Sequence, residues 1–121
     1  MTQTILTVDD SRTMRDMLRM ALAEAGYNVL QAEDGVHGLE VLQTATPDVI
    51  VTDINMPKMD GFGLIEAVRK DSRYRRVPIL VLTTESDAAK KLRAKEAGAT
   101  GWIVKPFEPT KLIAAIRRVA A

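Results

Sequence analysis

The sequence predicts an α/β domain built on one doubly wound parallel sheet of five strands, with five helices covering both of its faces. Three observations carry this expectation. Short apolar runs alternate with helical patterns along the whole chain, which calls for right-handed crossovers and therefore parallel strands. The runs are almost continuously apolar, as strands are when both faces of a sheet are covered. Four of the runs end in polar residues, Asp-Asp, Asp, Thr and Lys.

The elements follow in order. Thr4-Ile5-Leu6-Thr7-Val8 is the first strand, and it runs directly into Asp9-Asp10. A helix from Ser11 to Ala25 places Met14, Met17, Leu18, Ala21, Leu22 and Ala25 on one face at three-and-four spacing. This methionine-bearing stripe reads as core packing, and Gly26 ends the helix. Tyr27 to Ala32 is the second strand and Val36 to Gln43 the second helix. The third strand, Asp48 to Asp53, contains Val49-Ile50-Val51-Thr52 and opens into Asn55-Met56-Pro57-Lys58-Met59-Asp60-Gly61. A helix from Phe62 to Lys70 precedes the fourth strand, Ile79-Leu80-Val81-Leu82, which ends in Thr83-Thr84. Ala88 to Ala97 is the fourth helix. Gly101-Trp102-Ile103-Val104 is the fifth strand and ends in Lys105-Pro106-Phe107. The last helix, Pro109 to Val119, carries its proline in the first turn, where the missing N–H costs nothing.

The 121 residues suit a single domain spanning positions 1–121, and a chain of this length buries roughly two-thirds of its unfolded surface. Composition is ordinary for a globular protein, at 46% hydrophobic and 27% charged with a formal net charge of +1. No apolar segment is long enough to span a bilayer, and Met1-Thr2-Gln3-Thr4 leads into a strand rather than a signal peptide. The absence of cysteine rules out disulfide and thiolate chemistry. Together these features favour a cytoplasmic location with no membrane partner. The near-zero net charge conceals an asymmetry: residues 1–60 hold four Lys/Arg against ten Asp/Glu, and residues 61–121 hold thirteen against six. The acidic part suggests a cation site. The basic part, with Arg73, Arg75, Arg76, Lys90, Lys91, Arg93 and Lys95, is a solvated surface or a docking face for an acidic partner. Nucleic acid is disfavoured, because no aromatic residues are interleaved with the charges.

Ligands of open parallel sheets bind beyond the carboxyl ends of the strands, so Asp9, Asp10, Asp53, Thr83 and Lys105 are expected to converge on one edge. Aspartate is also common in turns after strands, and either Asp10 or Ser11 can cap the first helix. Capping accounts for one acid of the pair and leaves the other without a reason. Three carboxylates and one lysine leave a local charge of about −2, which a divalent cation would neutralise. The ligands are hard oxygens, suited to Mg²⁺ or Mn²⁺, whereas zinc is disfavoured without cysteine and with His37 on another element. A cation beside Asp53 would let this carboxylate attack a phosphoryl group, giving an aspartyl phosphate. Lys105 can then contact one phosphoryl oxygen as a point charge, and the Thr83 hydroxyl can donate to another.

The set Asp9-Asp10, Asp53 with its Asn55-Met56-Pro57-Lys58-Met59-Asp60-Gly61 loop, Thr83 and Lys105-Pro106-Phe107 resembles the receiver domain of two-component response regulators, over the whole chain. The resemblance implies a flavodoxin-like sheet of order 2-1-3-4-5. It implies Asp53 as phosphoacceptor, Asp10 as a direct Mg²⁺ ligand, Asp9 as a ligand through water and Asn55 as a ligand by its backbone carbonyl. Lys105-Pro106 is similar to a family cis peptide bond. Such a domain catalyses only its own phosphorylation and dephosphorylation. The chain stops just after its fifth helix, so output is expected to pass through a partner. The short form, Asn55-Met56 and Lys90-Lys91 resemble chemotaxis-type receivers. The implied partners are a sensor histidine kinase, an output protein such as the flagellar motor switch and a phosphatase, with the receiver itself a monomer. Service in another phosphorelay or as a phosphate sink is the alternative. A small metal-dependent phosphohydrolase fits less well, since such enzymes commonly carry a second acid where this chain has Asn55.

Two positions depart from the family pattern. Trp102 stands where the family often has Tyr, Phe or His, the aromatic that moves inward as the threonine turns to the phosphoryl group. Thr83 and Trp102 are accordingly the expected switch pair, although an indole is larger and brings an N–H to satisfy. Thr84 occupies a position that is usually small and is expected to narrow access to Asp53. Asn55 and Glu85 lie where side chains can bias the hydrolytic water. His37 is expected to be an exposed helical residue with no role as a phosphodonor.

Overall fold

The computed structural model describes residues 2–120; Met1 and Ala121, the two ends of the expected domain, lie outside the described residues. Five strands alternate with five helices: β1 (Thr4–Val8), α1 (Arg12–Glu24), β2 (Asn28–Ala32), α2 (Gly35–Leu42), β3 (Val49–Thr52), α3 (Gly61–Lys70), β4 (Ile79–Thr83), α4 (Ala88–Ala97), β5 (Gly101–Val104) and α5 (Pro109–Val119). All strand pairs are parallel, in the order β2-β1-β3-β4-β5. The expected elements are all present, with ends shifted by about one residue where caps take over from helix. A short 3₁₀ turn at Ser72–Tyr74, which the apolar pattern does not announce, links α3 to β4.

Both faces of the sheet are covered, and the strands divide their side chains between two cores. Leu6, Val8, Ile50 and Val81 pack with Phe62, Leu64, Ile65, Val68 and Ala94, under α3 and α4. Ile5, Val49, Val51, Leu80 and Leu82 pack on the other face with Leu18 and Leu22 of α1 and Leu112 and Ile116 of α5. Successive strand residues thus serve opposite cores, which is why the runs are continuously apolar. The α1 stripe is narrower than its spacing suggests. Leu18 and Leu22 are buried and Met14 packs against them, but Met17 lies at the edge of the stripe and is 49% exposed.

Helix starts consume several of the acidic residues. The Ser11 hydroxyl accepts from the Met14 amide and caps α1, which settles the choice between Asp10 and Ser11. Asp34 caps α2, Asp60 caps α3 and Asp87 caps α4, each accepting a first-turn N–H. Asp9 and Asp53 cap no helix, and both are buried. No helix among the described residues is long and apolar enough to cross a membrane.

The loop after β3 folds back tightly on Asp53. The Gly61 amide donates to the Ile54 carbonyl at 2.8 Å, and Lys58 adopts a left-handed backbone, φ 66°. A Cβ on Gly61 would overlap the Asp53 carbonyl oxygen and lie 2.8 Å from the Ile54 Cα. Only glycine allows this approach without moving the backbone that carries Asp53. Gly61→Ala is expected to cost about 2 kcal/mol of stability, measured by urea unfolding; wild-type stability would show that the loop has slack.

Candidate functional site

The carboxyl ends of β1 and β3, adjacent in the sheet, bring their acids together. The Asp53 amide bonds the Val8 carbonyl at 2.9 Å and the Asp9 amide bonds the Ala32 carbonyl at 3.1 Å, so both residues still hold to the sheet. One carboxylate oxygen from each of Asp9, Asp10 and Asp53 lies within 4.8 Å of the other two. Asp9 and Asp53 are buried, whereas Asp10 is exposed at the mouth.

Lys105 enters this cluster from beyond β5. Its Nζ donates to Asp9 Oδ2 at 2.7 Å and to Asp53 Oδ2 at 2.8 Å. Its side chain is only 9% exposed. The Lys105-Pro106 peptide is cis, as the family resemblance implies. The other two oxygens of the pair are also engaged: Asp9 Oδ1 accepts from the Ser11 amide at 2.9 Å, and Asp53 Oδ1 accepts from the Ile54 amide at 2.6 Å. Burial pushes the Asp9 carboxyl above the usual aspartate range, outweighing the opposing pull of the Lys105 ammonium and the Ser11 amide. Burial also works against the charge of Lys105, but its bonds to Asp53 and Asp9 prevail and raise its pKa.

Thr83 ends β4 one strand away and is fully buried. Its Oγ1 accepts from the Glu85 amide at 3.3 Å, and its carbonyl accepts from the Lys105 amide at 2.8 Å. Its hydroxyl bonds none of the acids; the link to the cluster runs through its carbonyl to the Lys105 backbone. Glu85 is the meeting point of the surrounding loops. Its carboxylate accepts from Lys90 Nζ at 3.0 Å and from Asn55 Nδ2 at 3.4 Å. Its carbonyl accepts from Trp102 Nε1 at 3.1 Å. The indole N–H is thus satisfied, with Trp102 half-buried. A groove of about 450 Å³ opens beside Trp102, lined by Lys91, Leu92, Lys95 and Ala99 among others.

Three features escape a reading of the sequence. Arg15 of α1 donates from Nη1 to the Asp9 carbonyl at 2.7 Å, a contact without any local sequence pattern. Trp102 is bonded to the same residue that Asn55 reaches, which requires the loop after β4 to lie against both the loop after β3 and strand β5. His37 is not the exposed helical residue expected: it is half-buried, and its Nδ1 accepts from the Glu33 amide at 3.1 Å. Asp34 accepts from the His37 amide, while the His37 ring takes the amide of Glu33, one residue ahead of that cap, so both sides of the turn into α2 are held. Part of the basic surface also has structural work: Arg93 stacks on the Phe62 ring with 4.0 Å to its centroid, and Arg73 pairs with Asp71 at 2.8 Å.

Comparison with known proteins bears on this arrangement. The model of the response regulator receiver domain matches residues 5–117. The chain belongs to the response regulator receiver family. It is 46% identical over 110 residues to the chemotaxis protein CheY1 of Helicobacter pylori, covering 89% of each chain. Among solved structures, the Vibrio cholerae chemotaxis protein CheY4 superposes with a TM-score of 0.94 at 47% identity, over 98% of this chain and 99% of that one. The receiver domain of a Pseudomonas aeruginosa sensor histidine kinase, solved with a magnesium ion coordinated in its active-site cleft, superposes at 0.91 with 27% identity, over 98% of both chains. This receiver is therefore a CheY-like signalling domain, with the flavodoxin-like order 2-1-3-4-5.

Proposed function

We propose that residues 1–121 form a receiver that accepts a phosphoryl group on Asp53 from a sensor histidine kinase and passes the event to a protein partner. The observation that carries this reading is the lysine-bridged carboxylate pair. Asp9 and Asp53 are held buried by one ammonium, with a third acid, Asp10, at the mouth.

The donor set suits a hard divalent cation such as Mg²⁺, since every side-chain ligand is a carboxylate oxygen. Asp10 and Asp53 would hold it directly with the Asn55 carbonyl, and Asp9 through water; the magnesium ion in the active-site cleft of the kinase receiver supports a cation in this cleft. When bound, the ion supplies positive charge that offsets repulsion between the Asp53 carboxylate and an incoming phosphoryl group. In the transfer, a carboxylate oxygen of Asp53 forms a P–O bond while the P–N bond of the kinase phosphohistidine breaks and the histidine leaves. Hydrolysis returns the phosphoryl group to water as inorganic phosphate, restoring the carboxylate. Lys105, already on Asp53 Oδ2, needs only a small movement to bond a phosphoryl oxygen. Thr83 would give up the Glu85 amide to donate to another, and that exchange pulls on the loop whose Glu85 carbonyl holds Trp102. The chain turns over no external substrate.

The groove beside Trp102 is the output face in this reading. Leu92 is 55% exposed on one wall, and Lys91 and Lys95 line the groove with it, a surface suited to an acidic, partly apolar segment. Similarity to chemotaxis proteins favours a target of the flagellar motor switch type.

Incubation with MgCl₂ and acetyl phosphate is expected to give a base-labile phosphoryl adduct and a change in Trp102 emission. Both are expected to be absent from Asp53→Asn and from samples in EDTA. An adduct on another residue, or turnover of unrelated phosphoesters, would overturn the reading; an adduct with unchanged emission would remove Trp102 from the switch. Decay of the adduct is expected to change several-fold in Asn55→Ala and Glu85→Ala, followed as loss of phosphoprotein after the donor is removed. Wild-type decay in both would exclude these residues from steering the hydrolytic water.

A further inference from the structure

We infer that Arg15 is a positioning residue for the acidic cluster: its guanidinium holds the peptide that joins Asp9 to Asp10 and so prepares both carboxylates for a divalent cation. The inference rests on the metal reading above.

The Asp9 carbonyl belongs to the Asp9–Asp10 peptide, so whatever grips it sets the plane from which the Asp10 side chain departs. Arg15 Nη1 donates to that oxygen at 2.7 Å. The other contacts of this turn hold Asp9 alone: its amide to the Ala32 carbonyl, and its carboxylate to the Ser11 amide and Lys105. Asp10 is exposed, and no hydrogen bond or ion pair orients its carboxylate among the described residues. Its placement therefore depends on the backbone that precedes it.

Arg15 is itself anchored on both sides. Its amide donates to the Ser11 carbonyl at 2.9 Å, and its carbonyl accepts from Gln31 Nε2 of β2 at 3.0 Å. The side chain is half-buried, unlike Arg12 and Arg19 of the same helix, which are exposed. A charge-assisted bond from an anchored guanidinium to a backbone oxygen is a strong way to hold a peptide plane. Removing an outer-shell partner that orients a ligand typically costs roughly 10–100-fold in metal affinity.

Charge and positioning make opposite predictions for this residue. Removing a cation near three carboxylates strengthens their pull on a divalent ion. If Arg15 acts only through its charge, Arg15→Ala binds Mg²⁺ more tightly than wild type. If it acts by holding the peptide, the variant binds more weakly.

The test is an MgCl₂ titration of the full chain followed by the amide NMR signals of residues 9–10 and 53–55, with urea unfolding in EDTA to verify folding. Arg15→Ala is expected to raise the Kd for Mg²⁺ about 10-fold. Arg12→Ala, which removes the same charge from the same helix without touching the peptide, is expected to leave the Kd unchanged or lower it. Should the alanine variant fail to fold, Arg15→Lys keeps the charge and loses the fork, and a raised Kd is again expected. A Kd equal to or below that of wild type in the folded Arg15 variant overturns the positioning role. Absence of Mg²⁺ binding in the wild type would instead overturn the metal reading and the inference with it.

Discussion

The bond of one ammonium, Lys105 Nζ, to two buried carboxylates is the interaction on which this site depends. Two acids at neighbouring strand ends repel each other, and burial disfavours their charged forms. Burial, joined by a smaller repulsion from Asp53, raises Asp9 against the pull of Lys105 and the Ser11 amide. Without a cation between them, the strand ends of β1 and β3 could both carry ionised aspartate at this depth only at a large cost in stability. The main-chain contacts answer the same requirement: each carboxylate gives its second oxygen to a local amide, Ser11 for Asp9 and Ile54 for Asp53. The remaining demand for positive charge falls on the exposed side, where Asp10 stands. In the proposed reading, a divalent cation would supply a second counter-charge on that side.

From this pair the structure reaches outward along bonded steps. The Lys105 amide bonds the Thr83 carbonyl, the Thr83 hydroxyl accepts the Glu85 amide, and the Glu85 carbonyl receives the Trp102 indole. These steps join atoms of β4, β5 and the loops that follow them, and they are the route by which the proposed switch would carry a displacement from the acids to Trp102. The Glu85 carboxylate adds a branch to Asn55 and Lys90, tying the loop after β3 to α4. The groove beside Trp102 thus borders the same network that borders the acids.

Much of this was legible in the sequence because it is local. Continuous apolar runs announced a sheet covered on both sides, and a serine or aspartate at each of four helix starts is a capping pattern readable over a few residues. Convergence of Asp9, Asp10, Asp53 and Lys105 followed from parallel topology, since residues after successive strands must share an edge. What stayed hidden depends on tertiary placement. Nothing near Arg15 in the chain marks it as a partner of the Asp9 carbonyl. Met17 fits the helical stripe but sits at its margin, where packing rather than periodicity decides exposure. His37 is drawn inward because its ring accepts the Glu33 amide ahead of α2, a use of histidine that apolar patterning does not register.

The counter-charge account is tested most directly by urea unfolding of Lys105→Met beside wild type, each in EDTA and in MgCl₂. Leaving two buried carboxylates without their ammonium should cost about 3 kcal/mol or more in EDTA. Added MgCl₂ should then stabilise the variant by more than it stabilises wild type, because the cation replaces the lost charge. Equal stability in EDTA, or a Mg²⁺ increment no larger than that of wild type, would contradict the claim that Lys105 holds these acids in place.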